Sequence, residues 1–367
     1  MTPPISGTAP ARSARLSRRE FVRASSLMAF AFAEAGLAKS VRAGEKEIGL
    51  ASFGGSFGES IQKFYLDPFE KQTGIKVLLG SNASLALAKL QVVSGQRAQW
   101  DIVELTGAEY ETAIREKITV PLDYSVVDAS AIPPEYKGSH GVKFVLYLNV
   151  MAWDASKLSH AGIPKTWADF WDTTRFPGKR SMYSRLQGGG TLEFALLADG
   201  VAPANLYPLD VDRALKSLER LGRSNIIWHE TNAEPIQQLV SGQASLATTF
   251  NGRVLAANRE GAQLGYTPEN GCVSGDYLSV VRSSENKREA FDLISYIISN
   301  ASAAAEWVKA TSYGVPNIHV PAMLPASLTA DLPTSEALKG KVFLKDDKWW
   351  ADNLQTTLAR FKQWQLG

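Results

Sequence analysis

Two side chains of opposite charge offer the clearest chemistry in this chain. Arg253 follows Phe250-Asn251-Gly252, and Asp276 sits in Gly275-Asp276-Tyr277. A planar guanidinium takes both oxygens of a carboxylate in two parallel hydrogen bonds, and a carboxylate grips an ammonium. A site holding both charges would fit a zwitterion. The structural alternative is a plain salt bridge between the two, or an Arg253 that faces solvent at a helix start. A second candidate is the turn Gly54-Gly55-Ser56, which leads from a strand into a helix. Amides at a helix N-terminus can face an anion or a polar group, while Phe53 and Phe57 offer ring faces to apolar or cationic parts of a ligand. The bland reading is a tight turn beside two core phenylalanines. Gly54 to Gly58 also matches the G-x-S-x-G nucleophile elbow. Here the serine follows the first strand, whereas a hydrolase elbow follows several earlier ones, and no glycine-rich oxyanion loop precedes it. The enzyme reading is set aside. His140, His160, His229 and His319 lie too far apart for metal-ligand spacing. Gly188-Gly189-Gly190 lacks the lysine and spacing of a phosphate loop, so no cofactor is expected.

These residues need elements to hold them. Ser17-Arg18-Arg19-Glu20-Phe21-Val22 is a twin-arginine pair before the apolar stretch Ala24–Ala38, and Val41-Arg42-Ala43 ends as a cleavage signature. Glu34 interrupts a stretch already short of the ~20 apolar residues a spanning helix needs. Residues 1–43 read as an export leader cut near Ala43. They hold seven Lys/Arg against two Asp/Glu, so the +2 of the whole chain becomes about −3 in the remainder. The basic character belongs to the address, and nothing calls for nucleic acid or an anionic membrane. No later stretch is long enough to span a bilayer, and Cys272, the single cysteine, excludes an internal disulfide. A soluble, monomeric product in the periplasm is expected.

The remaining residues are enough for two domains. Strands are predicted at 47–53, 75–79, 100–105, 144–153, 180–183, 226–229, 244–250 and 276–281. Helices are predicted at 59–73, 84–94, 109–116, 191–197, 210–221, 233–241 and 287–299, with Gly74 as a left-handed C-cap. Such alternation indicates parallel sheets covered by helices. Two α/β lobes follow, with crossings near residues 145–150 and 272–280. Trp349, Trp350 and Trp364 recur at helical spacing near the C-terminus and read as packing against a lobe.

The order of several motifs resembles bacterial extracellular solute-binding proteins of ABC importers, in the spermidine/putrescine-type branch with its small-amine and amino-acid-binding relatives. The motifs are Asp67-Pro68-Phe69-Glu70-Lys71-Gln72-Thr73-Gly74-Ile75-Lys76-Val77, Thr166-Trp167-Ala168-Asp169-Phe170-Trp171 with Phe176-Pro177-Gly178-Lys179, and Tyr207-Pro208-Leu209-Asp210. Tyr313-Gly314 before Pro316-Asn317 completes them. The resemblance covers roughly residues 46–320. It implies a type II-like, two-lobed periplasmic binding protein, each lobe a mixed, mostly parallel sheet flanked by helices, with the ligand cleft between them. The expected division is 44–147 plus 278–330 for lobe 1, 148–277 for lobe 2, and 331–367 as a C-terminal helical segment. The implied partners are a small amine or zwitterion and the permease subunits of an ABC transporter. In polyamine binders of this branch an aromatic residue lies where Phe250 is, and an amine-gripping acid where Asp276 is. Thr106, Tyr277 and Tyr313 stand where the family lines its cleft. This chain departs from the polyamine pattern: no carboxylate stands in Ser184-Arg185-Leu186-Gln187-Gly188-Gly189-Gly190, and Ser274 replaces an aromatic residue. Arg185 is a candidate second ligand for a carboxylate. Specificity is thus expected to have shifted toward a short amino acid such as 4-aminobutyrate, with a classical polyamine as the alternative. Iron-carrying relatives present adjacent tyrosines, and no such pair occurs here.

Overall fold

The computed structural model of the chain describes residues 46–158, 162–330 and 332–367. The leader expected over residues 1–43, with its twin-arginine pair and cleavage position, lies outside the described residues, as does His160. Among the described residues, strands β1 (Glu47–Ala51), β2 (Lys76–Gly80) and β3 (Ile102–Thr106) pair in parallel, with β1 between the other two. Strands β5 (Arg180–Tyr183), β6 (Ile226–His229) and β7 (Leu246–Phe250) form a second parallel set, with β5 central. Two long strands join the sets: β4 (Gly141–Asp154) and β8 (Leu264–Val280) run antiparallel to each other along nearly their whole length. β8 also pairs with β3, β4 also pairs with β7, and the short β9 (Val342–Leu344) lies parallel beside β8. Parallel strands feeding helices at both ends, with long antiparallel strands in the middle, give the mixed α/β arrangement the alternation predicts.

The long strands serve two cores. Val142, Phe144, Leu278 and Val280 pack with Ile48, Leu50, Phe69, Ile102, Ile294 and Trp307. Met151, Trp153 and Cys272 pack with Phe170, Met182, Phe194, Leu218, Leu246 and Trp350. One core belongs to each lobe, and the β4–β8 register slips between Asn149 and Met151, where the strands pass from one to the other. Across the slip β4 advances from Asn149 to Met151 while β8 runs from Cys272 to Thr267, and such extra residues in one strand bend and twist the pair locally. Gly74 is the left-handed cap expected, at φ 72°. The helix after β1 begins at Gly55 rather than near Glu59 and reaches Thr73 through a π-helical turn at Gln62–Leu66. The strand expected at 276–281 is only the end of β8. Gly265, Pro268, Gly271 and a left-handed Asn270 (φ 51°) break the local pattern that would reveal the rest. Tertiary contacts hold that part: the Trp167 indole donates to the Asn270 carbonyl at 2.9 Å, and the Asn270 amide donates to the Lys341 carbonyl at 2.6 Å.

The C-terminal helix Asp347–Leu366 lies across both lobes. The buried Lys143 ammonium meets Asp347 at 2.8 Å, and a Cβ on Gly107 would overlap the Asp347 carboxyl. Gly107 thus lets the helix Gly107–Arg115 approach closely, and Arg115 pairs with Asp352. On the second lobe, Trp350 donates to the buried Glu193 carboxylate at 2.8 Å, which also accepts from the Tyr207 hydroxyl at 2.6 Å. Arg360 pairs with Asp212, and Trp364 donates to Glu219 at 2.8 Å; both acids lie on the helix Val211–Leu221. The tryptophan stripe is packing, as its spacing indicates.

Candidate functional site

The carboxyl ends of β1, β3, β5 and β7 point toward one cavity of about 590 Å³ between the lobes. Loops at such strand ends present backbone and short polar groups to a ligand. From the first lobe come Phe53, Gly54 and Phe57 after β1, Thr106 at the end of β3, Asp276 on β8, and Tyr313 after the helix Ala301–Thr311. From the second come Arg185 after β5, Phe250 at the end of β7, and Arg253 in the first turn of Asn251–Arg259. The structure thus gathers these nine predicted residues from distant parts of the sequence around one space.

The other three predicted residues are not in the lining. Gly55 and Ser56 occupy the exposed first turn of the helix Gly55–Ile61, because that helix starts earlier than its sequence indicates. Ser56 has no histidine partner among the described residues; the imidazole of His229 instead bonds the Ser181 hydroxyl at 2.8 Å. Tyr277 neighbours Asp276 on a strand, so its side chain leaves by the opposite face of the sheet. Its ring stacks on Tyr110 at 3.8 Å, with the Lys143 ammonium 5.0 Å from its centre.

An aromatic wall runs round the cavity. Phe57 meets Phe53 and Tyr313 edgewise or tilted at 6.4 and 6.0 Å, Tyr313 meets Tyr147 at 5.6 Å, and Tyr147 meets Phe250 at 5.5 Å. Tyr183 closes the series against Phe250 at 6.5 Å. Tyr147 and Tyr183 are missed by the sequence reading, although Tyr147 pairs in register with Ser274 and so supplies a ring beside the position that lacks one. Glu109, Gln187, Asn232 and Leu354 also line the cavity. Glu109 is held in place: its carboxylate accepts from the Thr106 amide at 3.2 Å and hydroxyl at 2.8 Å, capping the helix that Thr106 begins.

Charge is divided across the space. Asp276 is buried, and burial, reinforced by the neighbouring Glu104, raises its carboxyl well above the usual range. Glu104, wholly buried behind the cavity wall, is pushed up to about 7 by burial despite accepting hydrogen bonds from Ser52, Asp276 and the Phe53 amide. A charge in the middle of Ile102-Val103-Glu104-Leu105 is the sequence signal for it. On the facing side, Arg253 neighbours Tyr313, whose hydroxyl burial raises and Arg253 partly restores; the Arg253 Nε is buried with no acceptor. Arg185 likewise lies on Tyr183, whose upward shift by burial it partly offsets. One wall is acidic and the other carries two guanidinium groups, an arrangement whose charges complement a molecule that carries both.

Residues 65–339 match the family of bacterial extracellular solute-binding proteins. The chain is similar to a γ-aminobutyric acid-binding protein of Pseudomonas aeruginosa, with 33% identity over 92% of this chain and 95% of that one. It is similar also to spermidine/putrescine-binding periplasmic protein 1 of Haemophilus influenzae, at 26% identity over 82% and 83%. Among solved structures, a GABA receptor superposes with a TM-score of 0.81 at 29% identity, covering 87% of this chain and 98% of that one. The two lobes, the cleft and the sequence over most of the chain agree: it belongs to the bacterial extracellular solute-binding proteins, receptors rather than enzymes.

Proposed function

We propose that this receptor closes on a short ω-amino acid, with 4-aminobutyrate as the reference ligand, and delivers it as a monomer to the permease subunits of an ABC importer. The observation that carries this reading is the division of charge across the cavity, Asp276 on one wall against Arg253 and Arg185 on the other. The ammonium pairs with Asp276 within the aromatic wall, and the carboxylate takes the guanidinium fork of Arg253. The GABA-binding relatives support the same class of ligand. A diamine would bring its second ammonium against two guanidinium groups, so like-charge repulsion opposes a polyamine despite the kinship. A larger amine-carboxylate compound is a second reading, favoured by the roughly 590 Å³ of space.

The lobe boundaries that fit this mechanism are near residue 147 in β4 and between Cys272 and Asp276 in β8, a few residues before the expected 277, since Cys272 packs in the second core while Asp276 pairs with Thr106 of β3. A ligand that touches both lobes favours the closed form by its differential affinity for it. Export by the twin-arginine route, with cleavage near Ala43, is supported by Arg18-Arg19 and by a first strand that begins at Glu47; subcellular fractionation tests it. A thermal-shift and calorimetric screen of the mature protein tests the ligand. 4-Aminobutyrate should raise the melting temperature and bind at micromolar or tighter affinity, on the order of −8 kcal/mol. Stabilisation by putrescine or spermidine without 4-aminobutyrate would replace this reading with the polyamine one.

A further inference from the structure

Glu104 is absent from the cavity lining yet touches the residue that matters most there. β3 and β8 pair with Thr106 opposite Asp276 and Glu104 opposite Leu278, so Glu104 is the diagonal neighbour of Asp276 on the same face. Both side chains are buried, at 0% and 3% exposure. One oxygen of Glu104 accepts the Ser52 hydroxyl at 2.5 Å and the Phe53 amide at 3.4 Å. Its Oε1 is buried and meets no N–H or hydroxyl donor, and the acid beside it on that face of the sheet is Asp276. Ionised carboxylates only accept, so a hydrogen bond between these two neighbours requires a proton between them.

The surroundings keep the proton there. Glu109, on the helix packed against β3 and β8, adds a further negative charge. Lys143 on β4 attracts, but its ammonium is engaged by Asp347 at 2.8 Å. Tyr313, the remaining titratable neighbour, lines the same cavity as Asp276 with the Arg253 guanidinium beside it. Two adjacent negative charges in a buried site are unfavourable until a cation joins them.

We propose that Glu104 is a positioning residue of the amine-binding end, which holds one proton in common with Asp276 and surrenders it when an ammonium is captured. The step balances: the ligand ammonium enters with its charge intact, the carboxylic acid–carboxylate pair becomes two carboxylates, and the proton passes to solvent. No covalent bond between heavy atoms changes. A neutral group in place of the amine cannot stabilise the second charge and leaves the proton where it is. The pair thus selects for a cation at this end, and the inference rests on the amine-binding role proposed for Asp276.

Linkage fixes the sign. The empty site binds a proton that the filled site lacks, so affinity for an amine rises with pH, by about tenfold per pH unit while one proton is released. The test is calorimetry with 4-aminobutyrate in buffers of different ionisation enthalpy, across roughly pH 5 to 7. The wild type should release close to one proton at the acidic end, and Glu104→Gln, which leaves Asp276 buried but without its acidic neighbour, should release fewer and bind with a shallower slope in pH. Ser52→Ala, which removes a donor to Glu104, should move the window of proton release to higher pH. Binding by the wild type with no proton released and no pH slope overturns the proposal and leaves the ligand reading intact. If 4-aminobutyrate does not bind, that reading fails, and infrared spectroscopy of the ligand-free protein still decides the pair. A carbonyl stretch of a buried carboxylic acid near neutral pH, shifted or lost in both Glu104→Gln and Asp276→Asn, upholds the shared proton; its absence in the wild type, or a band changed by only one of the two variants, refutes it.

Discussion

In the proposed reading Asp276 and Arg253 take opposite ends of a ligand, and their settings differ accordingly. The acid lies deep in a strand, where a bound cation is fully desolvated; the arginine stands in the first turn of a helix, half-buried, with its fork toward the cavity. Asp276→Asn should weaken amine ligands by roughly 2 kcal/mol or more, since a buried ammonium would lose its counter-charge. Calorimetry at neutral pH reads this directly, and unchanged affinity would remove Asp276 from the site. At this scale the sequence was legible wherever chemistry is carried by residue type. A guanidinium after a strand end and an acid at a crossing stand out as such. Glu104 and Tyr147 did not, because their relation to the cavity comes from cross-strand register with Leu278 and Ser274, which no local pattern contains. Tyr277 misled for the converse reason: adjacency to Asp276 in sequence means opposite faces in a strand.

Elements with strong local signals were read almost to the residue, as in Arg180–Tyr183, Ile226–His229 and Lys287–Ser299. The first part of β8 was not, since Pro268 and its glycines oppose a strand locally and only β4, β9 and Trp167 hold them in one. The C-terminal helix shows the same dependence on distant partners. Trp350→Phe keeps most of the buried ring but takes a donor from Glu193, a carboxylate with no exposure whose other oxygen has no partner. The expected cost is about 1–3 kcal/mol of stability. Chemical denaturation measures it, and 4-aminobutyrate affinity should change little, because Trp350 does not line the cavity.

Across the whole molecule, the cavity is lined from both lobes, which β4, β8 and the C-terminal helix tie together. Small-angle X-ray scattering should record a smaller radius of gyration when 4-aminobutyrate is added to the wild type. With Asp276→Asn at the same concentration the radius should stay at its ligand-free value; equal contraction in both would mean that closure does not depend on that contact. The placement of β8 also sets the timetable of assembly. The ribosome delivers β1 and β3 first, yet β3 has its second neighbour only when residues 276–280 emerge, and the first core still waits for Trp307. The second core waits longer, for Trp350 and Phe361. Both cores thus draw on segments far apart in the chain, which disfavours folding lobe by lobe from the N-terminus and lengthens the time that apolar strands of the nascent chain are exposed to aggregation.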